Sequence, residues 1–238
     1  MKAPGEPDAH STLAPVDPRL QLPATERLRV NEIFYSLQGE SSFAGRPCVL
    51  VRLTGCQMRC VWCDSEYSFY EGAWRTVAEV MEEVAGYGCP LVEVTGGEPL
   101  LQPGVHTLLA RLADAGNEVL LETGGGLDIG AVDRRVRRIV DVKCPASGEV
   151  ENNLWSNFEL LRPTDELKFV LADEADYEWA RALVFDRGLA ERCPVLFSVV
   201  HGGMELRRLA ERVLDDRLPV RVQTQLHKLI WGAETRGV

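Results

Sequence analysis

The chain has 238 residues, 45% of them apolar, enough for one sizeable buried core. Its 26 basic and 36 acidic side chains leave a net charge of -10, and the densest basic run, Arg134 to Arg138, is short and flanked by Asp133 and Asp141. Such a surface repels phosphate backbones and anionic lipid, so neither nucleic acid nor a membrane is an expected partner. With no secretory leader and no apolar run near the roughly 20 residues of a bilayer span, a cytoplasmic protein is expected.

Residues 1–26 carry Pro4, Pro7, Pro15, Pro18 and Pro23 with little apolar periodicity, which predicts a mobile tail before a core domain over 27–238. Cys48 to Leu53 reads as a first buried strand. Thr76 with Glu79 forms a capping-box signal, and Val77, Val80, Met81 and Val84 follow at helical spacing. Leu91 to Val94 reads as a second strand, and a helix begins near Pro103 with Leu108, Leu109 and Leu112 inward. Further strands are expected at Val119 to Leu121, Ile139 to Val142, Leu167 to Val170, Val195 to Val199 and Val220 to Val222, with helices between most of them. Alternation of this kind predicts an α/β fold, a complete or partial (βα) barrel with its active site at the C-terminal rim of the strands. Four unusual segments then land on that rim: the cysteine loop, Thr95-Gly96-Gly97-Glu98-Pro99, Glu122-Thr123-Gly124-Gly125-Gly126 and Lys143-Cys144-Pro145.

Seven cysteines suit a disulfide framework poorly, and three of them, Cys56, Cys60 and Cys63, stand at C-x3-C-x2-C. Three thiolates on one loop can take three corners of a 4Fe-4S cube and leave the fourth iron open to bind a ligand and pass it an electron. A structural zinc site would lack a fourth ligand nearby. Cys48, Cys89, Cys144 and Cys193 read as small buried hydrophobes.

The loop resembles the signature of the radical S-adenosylmethionine superfamily, and Gly96-Gly97-Glu98-Pro99 resembles that superfamily's segment for the methionine amino group. Within it, Tyr35-Ser36-Leu37-Gln38-Gly39-Glu40, Arg52, Cys63-Asp64-Ser65 and Gln225-Leu226-His227-Lys228 together resemble the 7-carboxy-7-deazaguanine synthase family, over about Val30 to Trp231. The resemblance implies a partial barrel of the radical S-adenosylmethionine type and ring contraction of 6-carboxy-5,6,7,8-tetrahydropterin with loss of ammonia. A 5′-deoxyadenosyl radical would start it by taking hydrogen from C6. The resemblance also assigns roles: Cys56, Cys60 and Cys63 to the cluster; Gly97, Glu98, Lys143, Cys144 and Pro145 to S-adenosylmethionine; Leu37, Gln38, Gly39, Arg52, Thr95 and His227 to the substrate; and Ser65 to a magnesium ion. Arg52 suits a carboxylate because its planar fork pairs with one bidentately, although a salt bridge at a strand end is the plain alternative. Cys144 is not expected as a further cluster ligand, since the fourth iron must stay free.

Ser41 and Ser42 stand where the family often has glycine, so that loop is open to a different path. A flavodoxin-like electron donor and a homodimer are further implications of the resemblance. Two rivals share the cysteine loop: a glycyl-radical enzyme activase, which would act on a protein, and a non-catalytic metal-binding module.

Overall fold

The computed structural model describes residues 17–238. A long strand, β1 (Arg27–Leu37), pairs antiparallel with β2 (Pro47–Leu53) on one edge and with β3 (Ala73–Thr76) on the other. From β2 onward every pairing is parallel, through β4 (Leu91–Gly96), β5 (Glu118–Thr123), β6 (Arg137–Val142), β7 (Glu166–Leu171), β8 (Val195–Val199) and β9 (Arg221–Val222). The single sheet runs β3-β1-β2-β4-β5-β6-β7-β8-β9, and its two edge strands do not meet. It is therefore the expected partial barrel rather than a closed one.

The strands from Cys48 onward lie where apolar runs placed them, but the strand expected to be first is the second. β1 escapes notice because Arg29, Asn31, Glu32 and Tyr35 interrupt its apolar residues and most of its side chains stay half-exposed. α1 (Val77–Gly86) starts with the predicted capping box: Glu79 N–H donates to Thr76 Oγ1 at 3.0 Å, and Thr76 N–H donates to Glu79 Oε2 at 2.6 Å. α2 (Gly104–Asp114) follows Pro103 and buries Leu108, Leu109 and Leu112 completely, each such side chain stabilising the fold by about 2 kcal/mol. α3 (Glu174–Asp186), α4 (Leu189–Arg192), α5 (Leu206–Asp215) and α6 (Leu226–Trp231) complete the helices. Helix alternation is less regular than expected. The β5–β6 and β6–β7 connections contain no α-helix; the first opens with Gly124 to Gly126, which disfavours one, and the second uses short 3-10 turns.

Apolar side chains on the outer face of the sheet pack into two clusters, one with α1 and α2 and one with α3, α4 and α5. Strand alternation turns Arg52, Glu93, Thr95, Asp141 and Lys168 the other way, toward a cavity. The loop over 38–46 crosses this interior. Gln38 Nε2 donates to Glu93 on β4, Glu40 pairs with Lys168 on β7 at 2.7 Å, and Ser42 N–H donates to Glu166 Oε2 at 3.1 Å. Ser41 takes a left-handed conformation, φ 59°, of the kind glycine adopts freely, and its Oγ accepts from Phe43 N–H at 3.1 Å.

Of the expected tail, residues 1–16 lie outside the described residues. Asp17 to Glu26 differ from a loose tail, forming two 3-10 turns tied to the helices by Arg19–Glu79 at 2.9 Å and Glu26–Arg111 at 3.0 Å. The sequence signal there was proline content, and proline suits the start of such turns as well as it suits disorder.

Candidate active site

The rim loops after β2, β4, β5 and β6 converge on one cavity of about 570 Å³, together with the 38–46 loop and the C-terminal segment. Cys56, Cys60 and Cys63 all line it as free, half-buried thiols. Their loop is pinned from behind: Arg59 N–H donates to Glu149 Oε1 at 2.6 Å, Val61 N–H to Ser147 O at 3.1 Å, and the Arg59 guanidinium lies 4.4 Å from the Phe69 ring centre. Among the described residues no three His, Cys, Asp or Glu side chains close on one ion. Three thiols on one loop of the cavity are the donor set that iron–sulfur chemistry uses.

Gly97 lies directly on the cysteine loop. A Cβ there would collide with the carbonyl of Gly55 and come within 2.8 Å of Cys56 Cβ, so glycine is required for the β4 rim to reach the cysteines. Glu98 behaves differently from the expectation of an ammonium contact. It is fully buried and absent from the cavity wall, and it accepts from Thr123 Oγ1 at 2.9 Å, Gly124 N–H at 2.8 Å and Leu100 N–H at 3.0 Å. These bonds staple the β4 loop to the β5 loop. Lys143 lines the cavity with its Nζ 2.6 Å from Asp141 Oδ2. Cys144 touches the cavity but is 1% exposed, its Sγ directed to Val142 O at 3.8 Å, and burial pushes its thiol up. Pro145 starts the following turn and does not reach the cavity.

The substrate candidates share the same cavity. Leu37, Gln38, Gly39, Arg52, Thr95 and His227 all line the cavity. Gly39 sits so close to the His227 ring that a Cβ would overlap Nδ1, and Leu226 N–H donates to Gly39 O at 2.8 Å. Arg52 makes the salt bridge at a strand end that was its plain alternative. Its Nε donates to Glu32 Oε1 at 2.7 Å, Tyr67 donates to the same oxygen at 2.9 Å, and among the described residues the terminal guanidinium nitrogens have no hydrogen-bond partner. Glu32 orients the fork, and its open end stays available. Ser65 precedes a 3-10 turn without using its hydroxyl to cap it, and Oγ lies 3.8 Å from Cys63 Sγ. Lys228 anchors the C-terminal helix beside it by pairing with Asp64 at 2.6 Å.

Sequence reasoning passed over the cavity floor. Lys168 Nζ contacts Glu40 Oε2 at 2.7 Å, Asp141 Oδ1 at 3.2 Å and Glu122, while Thr95 Oγ1 donates to Glu122 Oε2 at 3.4 Å. Four carboxyls, those of Glu40, Glu93, Glu122 and Asp141, thus face two ammonium groups, those of Lys143 and Lys168. Burial alone pushes each carboxyl up. For Glu40 and Asp141 the lysines outweigh burial and hold them below the usual range, whereas Glu122 stays raised and Glu93 is pushed up to about 8. A signal was present: Glu93, Asp141 and Lys168 each interrupt an apolar run within a strand of a parallel sheet, where a lone charge must face an interior cavity.

An open α/β barrel with three rim cysteines and a glycine-backed loop beside them defines a radical S-adenosylmethionine protein, and the model of the Radical SAM superfamily matches residues 50–146. The fold is similar to that of QueE from Escherichia coli, with a TM-score of 0.68 at 20% identity over 92% of this chain and 100% of that one. In sequence the chain is 50% identical to a 7-carboxy-7-deazaguanine synthase of Chlorobaculum tepidum over 214 residues, covering 89% of this chain and 97% of the relative. One of Koribacter versatilis is 44% identical over 89% of this chain and 100% of its own, and one of Thermoplasma acidophilum is 36% identical over 85% and 97%. The chain belongs to the 7-carboxy-7-deazaguanine synthase family.

Proposed function

We propose that this cavity performs the family's reaction, the contraction of 6-carboxy-5,6,7,8-tetrahydropterin to 7-carboxy-7-deazaguanine with loss of ammonia. The protein is then a radical S-adenosylmethionine carbon–nitrogen lyase of 7-deazapurine (queuosine) biosynthesis. The observation that carries the reading is the meeting, in one cavity, of the cysteine loop with the wall formed by Gln38, Gly39, Arg52, Thr95 and His227.

The superfamily's cofactors are a 4Fe-4S cluster and S-adenosylmethionine, which together supply a carbon radical able to take hydrogen from an unactivated C–H bond. Cys56, Cys60 and Cys63 would hold the cluster, and Gly97 and Lys143 would bind S-adenosylmethionine. The chain's own part is positioning, charge placement and shelter from water. The open end of Arg52, aimed by Glu32, grips the substrate carboxylate. Ser65, whose hydroxyl caps no turn, would contribute Oγ to a magnesium ion, a cation that keeps most of its waters and asks little of the protein. Gln38 and Thr95 meet the pterin edge, His227 closes the wall, and Leu37 and Gly39 give the substrate its backbone surface.

A glycyl-radical activase would need an opening wide enough for a protein loop; here Gln38, Gly39 and Glu40 line the cavity together with His227 and Lys228 of α6. Among the described residues no helix is long and apolar enough to cross a membrane. We further propose a cytoplasmic location, a flavodoxin-like donor of electrons, a second copy of this chain as partner, and a single catalytic domain from residue 27 onward. Anaerobic reconstitution tests the reading: brown protein with four irons per chain should turn over the carboxylated pterin after reduction, faster with magnesium than without. Cleavage of S-adenosylmethionine that ignores the pterin would refute the substrate, and one zinc in place of iron would refute the class.

A further inference from the structure

Glu93 has no part in the roles above. It sits in the middle of β4, 2% exposed, between Val92 and Val94, whose side chains belong to the opposite, apolar face. Among the described residues its carboxyl makes one hydrogen bond, as acceptor from Gln38 Nε2. The other end of the Gln38 amide is also fixed, because Oε1 accepts from the backbone N–H of Glu40. A backbone N–H can only donate, so the oxygen must face Glu40 and the amino group must face Glu93. One amide N–H of Gln38 remains for the cavity.

Three contacts hold this strap from different sides: Glu93 grips Gln38 from β4, Lys168 grips Glu40 from β7, and Leu226 N–H meets Gly39 O from α6. We propose that Glu93 is a positioning residue for the pterin wall: held by β4, its carboxyl locks the Gln38 amide in one orientation and thereby offers the substrate a hydrogen-bond donor rather than a freely rotating amide. The substrate feature it selects is an acceptor, a ring nitrogen or carbonyl on the pterin edge. This inference rests on the reading of Gln38 as a substrate contact.

The surroundings favour a neutral carboxyl for the task. Facing Glu93 are Gln38 and Glu40 from the 38–46 loop, Cys48 from β2, Glu122 from β5 and Lys168 from β7, and burial with the neighbouring carboxylates raises its pKa to about 8. A neutral carboxyl still accepts from Gln38, and so does the isosteric amide of a glutamine.

The test uses the reconstituted enzyme and separate KM values for 6-carboxytetrahydropterin and S-adenosylmethionine. Glu93→Leu should raise the pterin KM about tenfold, the cost of freeing one buried polar contact, and leave that for S-adenosylmethionine within about twofold. Glu93→Gln should stay within about threefold of the parent, because the acceptor is restored. Placed on Gln38→Leu, the Glu93→Leu change should add less than about twofold, since the group it positions is gone. If Glu93→Leu does not fold, Glu93→Asp, one methylene short of Gln38, carries the same expectation. A parental pterin KM in the Leu or Asp variant, a glutamine variant as impaired as the leucine one, or fully multiplicative effects would overturn the inference. A Gln38→Leu enzyme with a parental pterin KM would remove the substrate role of Gln38 and the inference with it; an impaired Gln38→Leu beside a normal Glu93→Leu removes the inference alone.

Discussion

The rim of the cavity takes its three thiols from eight consecutive residues, Cys56 to Cys63, while the floor gathers Glu40, Glu93, Glu122, Asp141 and Lys168 from five separate segments of the chain. The rim can tolerate movement of the sheet, because its thiols travel together on one loop. The floor cannot: its charges offset one another only while β4, β5, β6, β7 and the 38–46 loop keep their register. The difference implies that damage to the rim removes chemistry and spares the fold, whereas damage to the floor reaches both.

The sharpest way to break the comparison is Cys60→Ala. It should abolish turnover, by more than about a thousandfold, with iron per chain falling while the melting curve barely moves, as expected for loss of a metal group from a preformed scaffold. Lys168→Met should reach the fold as well, leaving Glu40 and Glu122 without their cation and Asp141 with Lys143 alone, and lowering unfolding free energy by about 3 kcal/mol or more, read by chemical denaturation of the apoprotein. Glu93→Gln sharpens the picture of the floor through pH. The native chain holds a proton on Glu93 up to about pH 8 that the unfolded chain releases near 4.5, so this group's contribution weakens steadily as pH rises between those values. The glutamine variant should therefore gain on the parent across that window, by about 4 kcal/mol at pH 8, and match it most closely near pH 5. At the junction of rim and wall, Ser65→Ala should cut the magnesium stimulation about tenfold while Ser65→Thr keeps it, measured as turnover against magnesium concentration. The smallest effect is expected from Glu98→Gln: weakened ties to Thr123 and Gly124 should cost about 1 kcal/mol of stability and leave cofactor affinity nearly unchanged.

Glu98 and Arg52 illustrate what a motif does and does not convey. The Gly-Gly-Glu-Pro segment was expected on the same rim as the cysteines, and there Gly97, with room for nothing larger, lies against their loop. The segment implied a cofactor contact for Glu98, and the structure buries that carboxyl, where Leu100 N–H of its own loop and Thr123 and Gly124 of the β5 loop, distant in sequence, donate to it. Arg52 was legible as a carboxylate fork. Its partner Glu32 was not, because β1 carries too many polar residues to announce itself as a strand, and pairing with β2 alone brings the two together.

By itself the sequence determined the local features: the cysteine spacing, the Thr76–Glu79 cap, the parallel strands with their apolar runs and the order of the rim loops. Each depends on residues a few positions apart, whose geometry the backbone imposes. The tertiary structure alone decided that the sheet stays open, that residues 17–26 dock on α1 and α2, and that a strap from 38 to 46 crosses the cavity to join carboxyls and lysines on different strands. A buried charge is tolerable only beside its partner, and in this chain the partners are up to 128 residues apart.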